Sequence, residues 1–323
     1  MFKILMGIKK RLYLYVAVDF VIALLVGSLF DIQRMNIKPV SMLAVFIMLY
    51  PMLTGMEVEK VKKAGRNFKL IFTTLFFAFF VASFTAFVVS RTILARYSEI
   101  AFAMVMVGAI PCSNMLIGWS GIADASVEDA LVIAVFGLLL IPLISPFLLK
   151  LNGGVFVRFE LKVLFVLLLT YIVVPLVLGM VTRGWIIKKK GREYFMNIKR
   201  VFPGISATGI LLIVFFSVAK VSRMVLSHPV IFLLVFLGLV SYYVIQTVLS
   251  VLAAKVLGLS YEEGMVLILG ATASSQAISL SVAATMFSPL VVFALAFKPV
   301  LQVFYIMFLI YGLGPYLKRI LRV

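Results

Sequence analysis

The chain has 323 residues, 64% of them hydrophobic, with a mean hydropathy of +1.21 and a formal net charge of +18. Runs of about 20 apolar residues between charged turns specify a polytopic helical membrane protein and exclude a soluble domain. The basic residues sit at the ends of apolar runs rather than on an aromatic-interleaved surface, so they read as membrane anchors and no nucleic-acid partner is expected.

About ten spans follow in chain order. The first runs over Leu12–Phe30, the second over Ser41–Gly55 and the third over Phe68–Ser90. The fourth covers Glu99–Ile122 and the fifth Ala130–Leu149. After a short link come the sixth, Leu161–Val181, and the seventh, Val201–Ala219. The eighth is Pro229–Ala253, the ninth Gly264–Met286 and the tenth Leu290–Leu313. The first apolar run is a full span with no small-residue cleavage site after it, so no cleavable leader is expected.

With the amino terminus inside, Lys3, Lys9, Lys10, Arg11, the Lys60–Lys69 loop, the Lys188–Arg200 loop and the Lys318–Arg322 tail all face the cytoplasm. Roughly two thirds of the Lys and Arg then lie on that side, as the positive-inside rule requires. Both termini are expected in the cytoplasm, and the protein in the plasma membrane. Five spans in each half, 1–152 and 153–323, give the halves opposite orientations, so any repeat between them is an inverted one. No nucleotide-binding motif or soluble module interrupts the spans.

Two spans are interrupted. Pro111 removes a backbone donor inside the fourth, and its ring clashes with the preceding turn. Cys112, Ser113 and Asn114 follow at once. The ninth contains LGATASSQAIS, Leu269–Ser279, which crowds Thr272, Ser274, Ser275 and Gln276 into about one and a half turns. Broken helices are tolerated at membrane depth only where the freed backbone is buried in protein or lines a wet cavity. Interrupted spans at matching places in two halves point to a transport site, with half-helix amino ends and exposed carbonyls brought to one point. Cys112 also fits a small buried apolar residue, and Ser113 and Asn114 fit interhelical packing. The reading taken is that all seven line the site.

Polar groups elsewhere in the spans are few. Lys298 lies deep in the tenth span just before Pro299 and reads as a fixed cation or a coupling group, with Asp19 in the first span as its candidate counter-charge. Gln302 falls one turn after Lys298, and Gln246 reads as an interhelical hydrogen-bond donor. Trp119, Tyr242, Tyr243 and Tyr261 suit packing or interfacial belts. One cysteine and one histidine, His228 in a loop, leave no metal or cofactor site and no catalytic constellation, so no enzyme is expected.

MLYPMLTGMEVEKV (Met48–Val61), IPCSNMLIGWSGIADASVEDALVI (Ile110–Ile133), GATASSQAISLSVAATMF and FALAFKPVLQV together resemble the second, fourth, ninth and tenth spans of arsenite-efflux permeases. The wider resemblance is to the bile acid/arsenite/riboflavin transporter superfamily, bile acid:sodium symporters included. It implies an all-α fold of ten helices in two inverted five-helix repeats with crossing discontinuous helices 4 and 9. It further implies a panel domain of spans 1, 2, 6 and 7 and a core domain of spans 3–5 and 8–10. The permeases' functional cysteine falls on Cys112, and their ninth-span acid on Gln276. The serine-asparagine pair of the sodium-coupled relatives falls on Ser113 and Asn114. Their ninth-span glutamate falls near Thr272, and their fifth-span hydroxyls fall on apolar or Gly positions around Val135–Leu138.

With both the charge and part of the oxygen set replaced, sodium sites are judged incomplete, and Lys298 supplies a positive charge instead. The expected function is a secondary transporter working by alternating access. Its expected cargo is arsenite or antimonite, with a proton or the membrane potential as coupling source. The alternative is a bile acid:sodium symporter-like carrier of an organic anion.

Overall fold

The computed structural model of the chain describes residues 12–32, 35, 38–55, 67–111, 114–227 and 229–321. Among these the chain is helical, without β-strands. Six helices are long and apolar enough to cross a membrane: Phe68–Ile93, Val127–Gly153, Leu161–Lys199, Phe202–Ser227, Val230–Val256 and Pro289–Ile320. The protein is therefore an all-α, multi-pass membrane protein.

The helices are α1 (Leu12–Leu29), α2 (Lys38–Thr54), α3 (Phe68–Ile93), α4 (Ser98–Ala109), α5 (Asn114–Ile122) and α6 (Val127–Leu148). They continue with α7 (Leu161–Lys190), α8 (Arg192–Lys199), α9 (Phe202–Ser227) and α10 (Val230–Val256). The last are α11 (Tyr261–Thr272), α12 (Gln276–Met286), α13 (Pro289–Ala296), α14 (Lys298–Met307) and α15 (Gly314–Ile320). Single π-helical turns occur at Phe77–Val81, Leu149–Gly153 and Phe308–Leu313.

Two compact units share the chain. The first comprises Met1–Met56, Val163–Ile231 and Ala277–Val300. Within it α9 packs against α1, α2 and α13. Small residues allow this in a membrane, where helix association depends on close backbone approach rather than on burying apolar surface. At Gly27 in α1 a β-carbon would overlap the Ala219 carbonyl oxygen. Phe20 packs against the rings of Phe293 and Phe297, at 5.4 and 4.7 Å between centroids. Tyr50 hydrogen-bonds Thr182, and Tyr171 hydrogen-bonds Thr285, each at 2.7 Å.

The second unit comprises Glu57–Lys162, Phe232–Gln276 and Leu301–Val323. Its apolar core joins Leu70, Leu116, Ile133, Met265, Leu269 and Leu309. Gly108 of α4 lies so close to α3 that a β-carbon would overlap the Ala82 carbonyl oxygen. At one end of this unit three chain turns and the last helix are tied together. Asn67 caps α3 by accepting from the Leu70 N–H and donates through Nδ2 to Glu263. Glu263 closes a capping box with Ser260 at the start of α11. Lys69 donates to the Leu257 carbonyl at 2.8 Å, Tyr261 to the Ala123 carbonyl at 3.1 Å, and Lys318 pairs with Asp124 at 3.6 Å. Such caps satisfy the free N–H groups that every helix start exposes.

Candidate functional site

The fourth span breaks where the proline predicts. Pro111 pushes the preceding residue out of the helical region, and Ile110 is extended, at φ −121° and ψ 92°. The ninth span breaks without a proline: α11 ends at Thr272, Ala273 is extended at φ −79° and ψ 149°, and α12 begins at Gln276. Neither piece of either span is long enough to cross a bilayer alone.

The two breaks meet inside the second unit. Pro111 and Ser274 form an isolated antiparallel bridge, and the Ser275 N–H donates to the Ile110 carbonyl at 3.1 Å. Backbone groups freed by each break are thus partly satisfied by the other, as burial in apolar surroundings demands. Neighbouring helices supply two further bonds. The Ser274 N–H donates to Gln302 Oε1 at 3.3 Å, and Ser145 Oγ donates to the Ala109 carbonyl at 2.6 Å. The crossing therefore gathers the carbonyl ends of α4 and α11 and the amino ends of α5 and α12. Each helix end carries a partial charge of about half a unit, negative at carbonyl ends and positive at amino ends. The segments Ala109–Pro111 and Ala271–Gln276 contain no charged side chain.

Several hydroxyls at this place are buried and idle. Thr272 Oγ1 and Ser274 Oγ have no hydrogen-bond partner among the described residues, and neither has Thr74 Oγ1 on α3. Thr74 belongs to the same locality, since a β-carbon on Gly270 would lie 2.6 Å from its methyl. An unpaired buried hydroxyl costs about 1–3 kcal/mol, so each of the three gains by any partner that reaches it.

Thr272, Ser274, Ser275 and Gln276 are all buried at the break. Asn114 opens α5. Cys112 and Ser113 lie outside the described residues, as does His228. Lys298 opens α14 and is fully buried, but it belongs to the first unit, as does Asp19. Asp19 is half-buried, and its Oδ2 has no hydrogen-bond partner among the described residues. Phe20 and Phe297, the sequence neighbours of Asp19 and Lys298, are in ring contact.

Gln302 is not merely on the Lys298 face; it holds the ninth-span break and groups with the second unit. Gln246 donates to the Phe77 carbonyl at 3.4 Å, the interhelical bond assigned to it from sequence. Sequence patterns do not single out Ser145 or Thr74. Ser145 carries a signal, a hydroxyl between Pro142 and Pro146 in an apolar run; Thr74, one of two threonines in its stretch of α3, carries none.

A model of the sodium bile acid symporter family matches residues 42–228, more than half of the chain. The chain is 25% identical over 251 residues to the arsenical-resistance protein Acr3 of Alkaliphilus metalliredigens, covering 70% of this chain and 69% of that protein. It is 27% identical over 290 residues to an uncharacterized transporter of Synechocystis, covering 79% of this chain and 74% of that one.

Proposed function

We propose that this chain, which belongs to the sodium bile acid symporter family, is a secondary transporter that works by alternating access and carries its solute at the crossing of the two broken spans. The observation that carries this reading is the bridge between Pro111 and Ser274, beside which the buried hydroxyls of Thr272, Ser274 and Thr74 have no hydrogen-bond partner among the described residues. Discontinuous helices that meet deep in an apolar bundle give a solute backbone dipoles and hydroxyls in place of water.

The cargo we favour is trivalent arsenic or antimony, extruded from the cytoplasm. Arsenite is neutral As(OH)3 near neutral pH and thiophilic. A single thiol, Cys112, directly follows the proline that breaks the fourth span, with Ser113 and Asn114 next to it. The likeness to an arsenical-resistance protein supports the same cargo. Thr272, Ser274, Ser275 and Gln276 would supply oxygen and amide partners from the other break. In this reading the two halves are inverted five-helix repeats in the plasma membrane with both termini in the cytoplasm. Spans 1, 2, 6 and 7 would act as the panel, with the other spans as the moving core.

Lys298 acts in this proposal as a built-in cation, with Asp19 as the acidic group of the same unit, so that a proton or the membrane potential drives transport in place of sodium. The family description favours a second reading, a bile acid:sodium symporter-like carrier of an organic anion.

Expression in an arsenite-sensitive host tests the choice. Resistance that disappears in Cys112→Ser supports the metalloid. Resistance absent in the unaltered chain, together with uptake of a bile salt or carboxylate into proteoliposomes, supports the anion.

A further inference from the structure

The connection between α7 and α9 has a composition and geometry unlike any other link among the described residues. Helix α7 has 30 residues, so it is about 45 Å long at about 1.5 Å per residue. A hydrocarbon core is about 30 Å thick, and even a tilt of about 40° leaves a projection of about 34 Å. At least about 4 Å of α7 therefore extends beyond the hydrocarbon, and Lys188, Lys189 and Lys190 mark its carboxyl end as the part that does. There the chain turns at Gly191, whose φ of +85° only glycine adopts without strain, and continues as the short helix α8.

Between Lys188 and Arg200 lie Lys188, Lys189, Lys190, Arg192, Lys199 and Arg200, against one acid, Glu193. The three lysines, Arg192 and Arg200 are exposed. Aromatic rings underlie the cations. Lys189 Nζ lies 5.0 Å over the Trp185 ring, Lys190 Nζ 4.7 Å over Tyr194, and the Arg183 guanidinium 5.6 Å over Phe195. Trp185 and Tyr194 are themselves exposed, whereas Phe195 is buried against Phe202. One buried aromatic thus pins α8 to the unit, while exposed rings and cations are left facing outward. Amphipathic aromatics at headgroup level with a cluster of lysines and arginines match the pattern that holds anionic lipid.

We propose that Trp185–Arg200 is a binding site for anionic phospholipid headgroups of the leaflet it faces. The cations take the lipid phosphates, and Trp185 and Tyr194 take the glycerol and upper acyl region. The site is independent of what the transporter carries.

The chain has two tryptophans, so Trp119→Phe leaves Trp185 as the sole reporter. That variant is reconstituted in phosphatidylcholine vesicles containing an equal minor fraction of brominated phosphatidylglycerol or brominated phosphatidylcholine. The brominated anionic lipid is expected to quench Trp185 at least about twofold more strongly, reflecting local enrichment by the cation cluster. The excess should fall away in about 1 M salt, where the Debye length is about 3 Å. It should also fall away in the Lys188→Gln, Lys189→Gln, Lys190→Gln combination. Equal quenching by the two lipids in the unsubstituted cluster, or an excess indifferent to salt, overturns the proposal without reference to any variant's folding.

Discussion

Replacing Gln302 by leucine probes the crossing through a bond that sequence spacing does not reveal. Gln302 is 3% exposed, and its Oε1 is the acceptor for the Ser274 N–H at 3.3 Å. Leucine keeps the apolar volume but leaves a buried backbone donor without that acceptor. An orphaned buried donor costs about 1–3 kcal/mol. In membranes the unfolded chain recovers partners, and polar contacts there reach only about 1.7 kcal/mol. The 3.3 Å length also lies just beyond the usual range of about 2.7–3.2 Å, so the bond is a weak one. A loss of about 1–1.5 kcal/mol is therefore expected, read as a lower thermal midpoint of the purified protein by about 1.5–2 °C. The control is Ser274→Pro, which removes the donor itself. Ala273 already has the extended conformation that a following proline requires. In that background Gln302→Leu should cost little further. Equal loss in both backgrounds, or no loss in the unaltered one, would refute the claim that Gln302 secures the break.

Three further outcomes follow from the same geometry. Gly108→Val should destabilise by at least about 1–3 kcal/mol, because its β-carbon has no room beside the Ala82 carbonyl; unfolding in detergent measures this. Glu263→Ala should lose about 1–2 kcal/mol by opening the capping box at the start of α11 and the bond to Asn67, again read by thermal unfolding. Lys298→Ala should abolish proteoliposome transport or make it depend on sodium; undiminished, sodium-independent flux across pH counts against the built-in cation.

Much of the fold is legible in the sequence because the bilayer forces a simple code. The third span is expected at Phe68–Ser90 and forms Phe68–Ile93. Both interruptions are expected, and each lies within the segment named for it. Pro111 places the fourth-span break by steric necessity, whereas small residues alone locate the ninth.

Charged residues mislead the boundaries. The sixth span is expected to end at Val181, yet its helix continues to Lys190. Arg183, Lys189 and Lys190 reach over aromatic rings, so their charge does not end the helix. The seventh is expected to end at Ala219 but runs to Ser227. Lys220 donates to the Met35 carbonyl, and Arg223 reaches Asp31. The tenth loses regular helical hydrogen bonding at Phe297, between α13 and α14 and next to Pro299, which lacks an N–H, while its backbone stays helical there at φ −69° and ψ −30°. The partners of the crossing, Ser145, Gln302 and Thr74, are the hardest to read. Their roles depend on which helices are neighbours, and periodicity within one helix says nothing of that.

The lone thiol permits the most direct test of where the solute binds. Cys112 is the chain's single cysteine, so a maleimide added to the reconstituted protein reports on that position alone. Arsenite is expected to slow this labelling in a saturable way, whereas a bile salt or simple carboxylate is not. Labelling at the same rate with and without arsenite, in protein that still transports it, would contradict solute binding at the crossing.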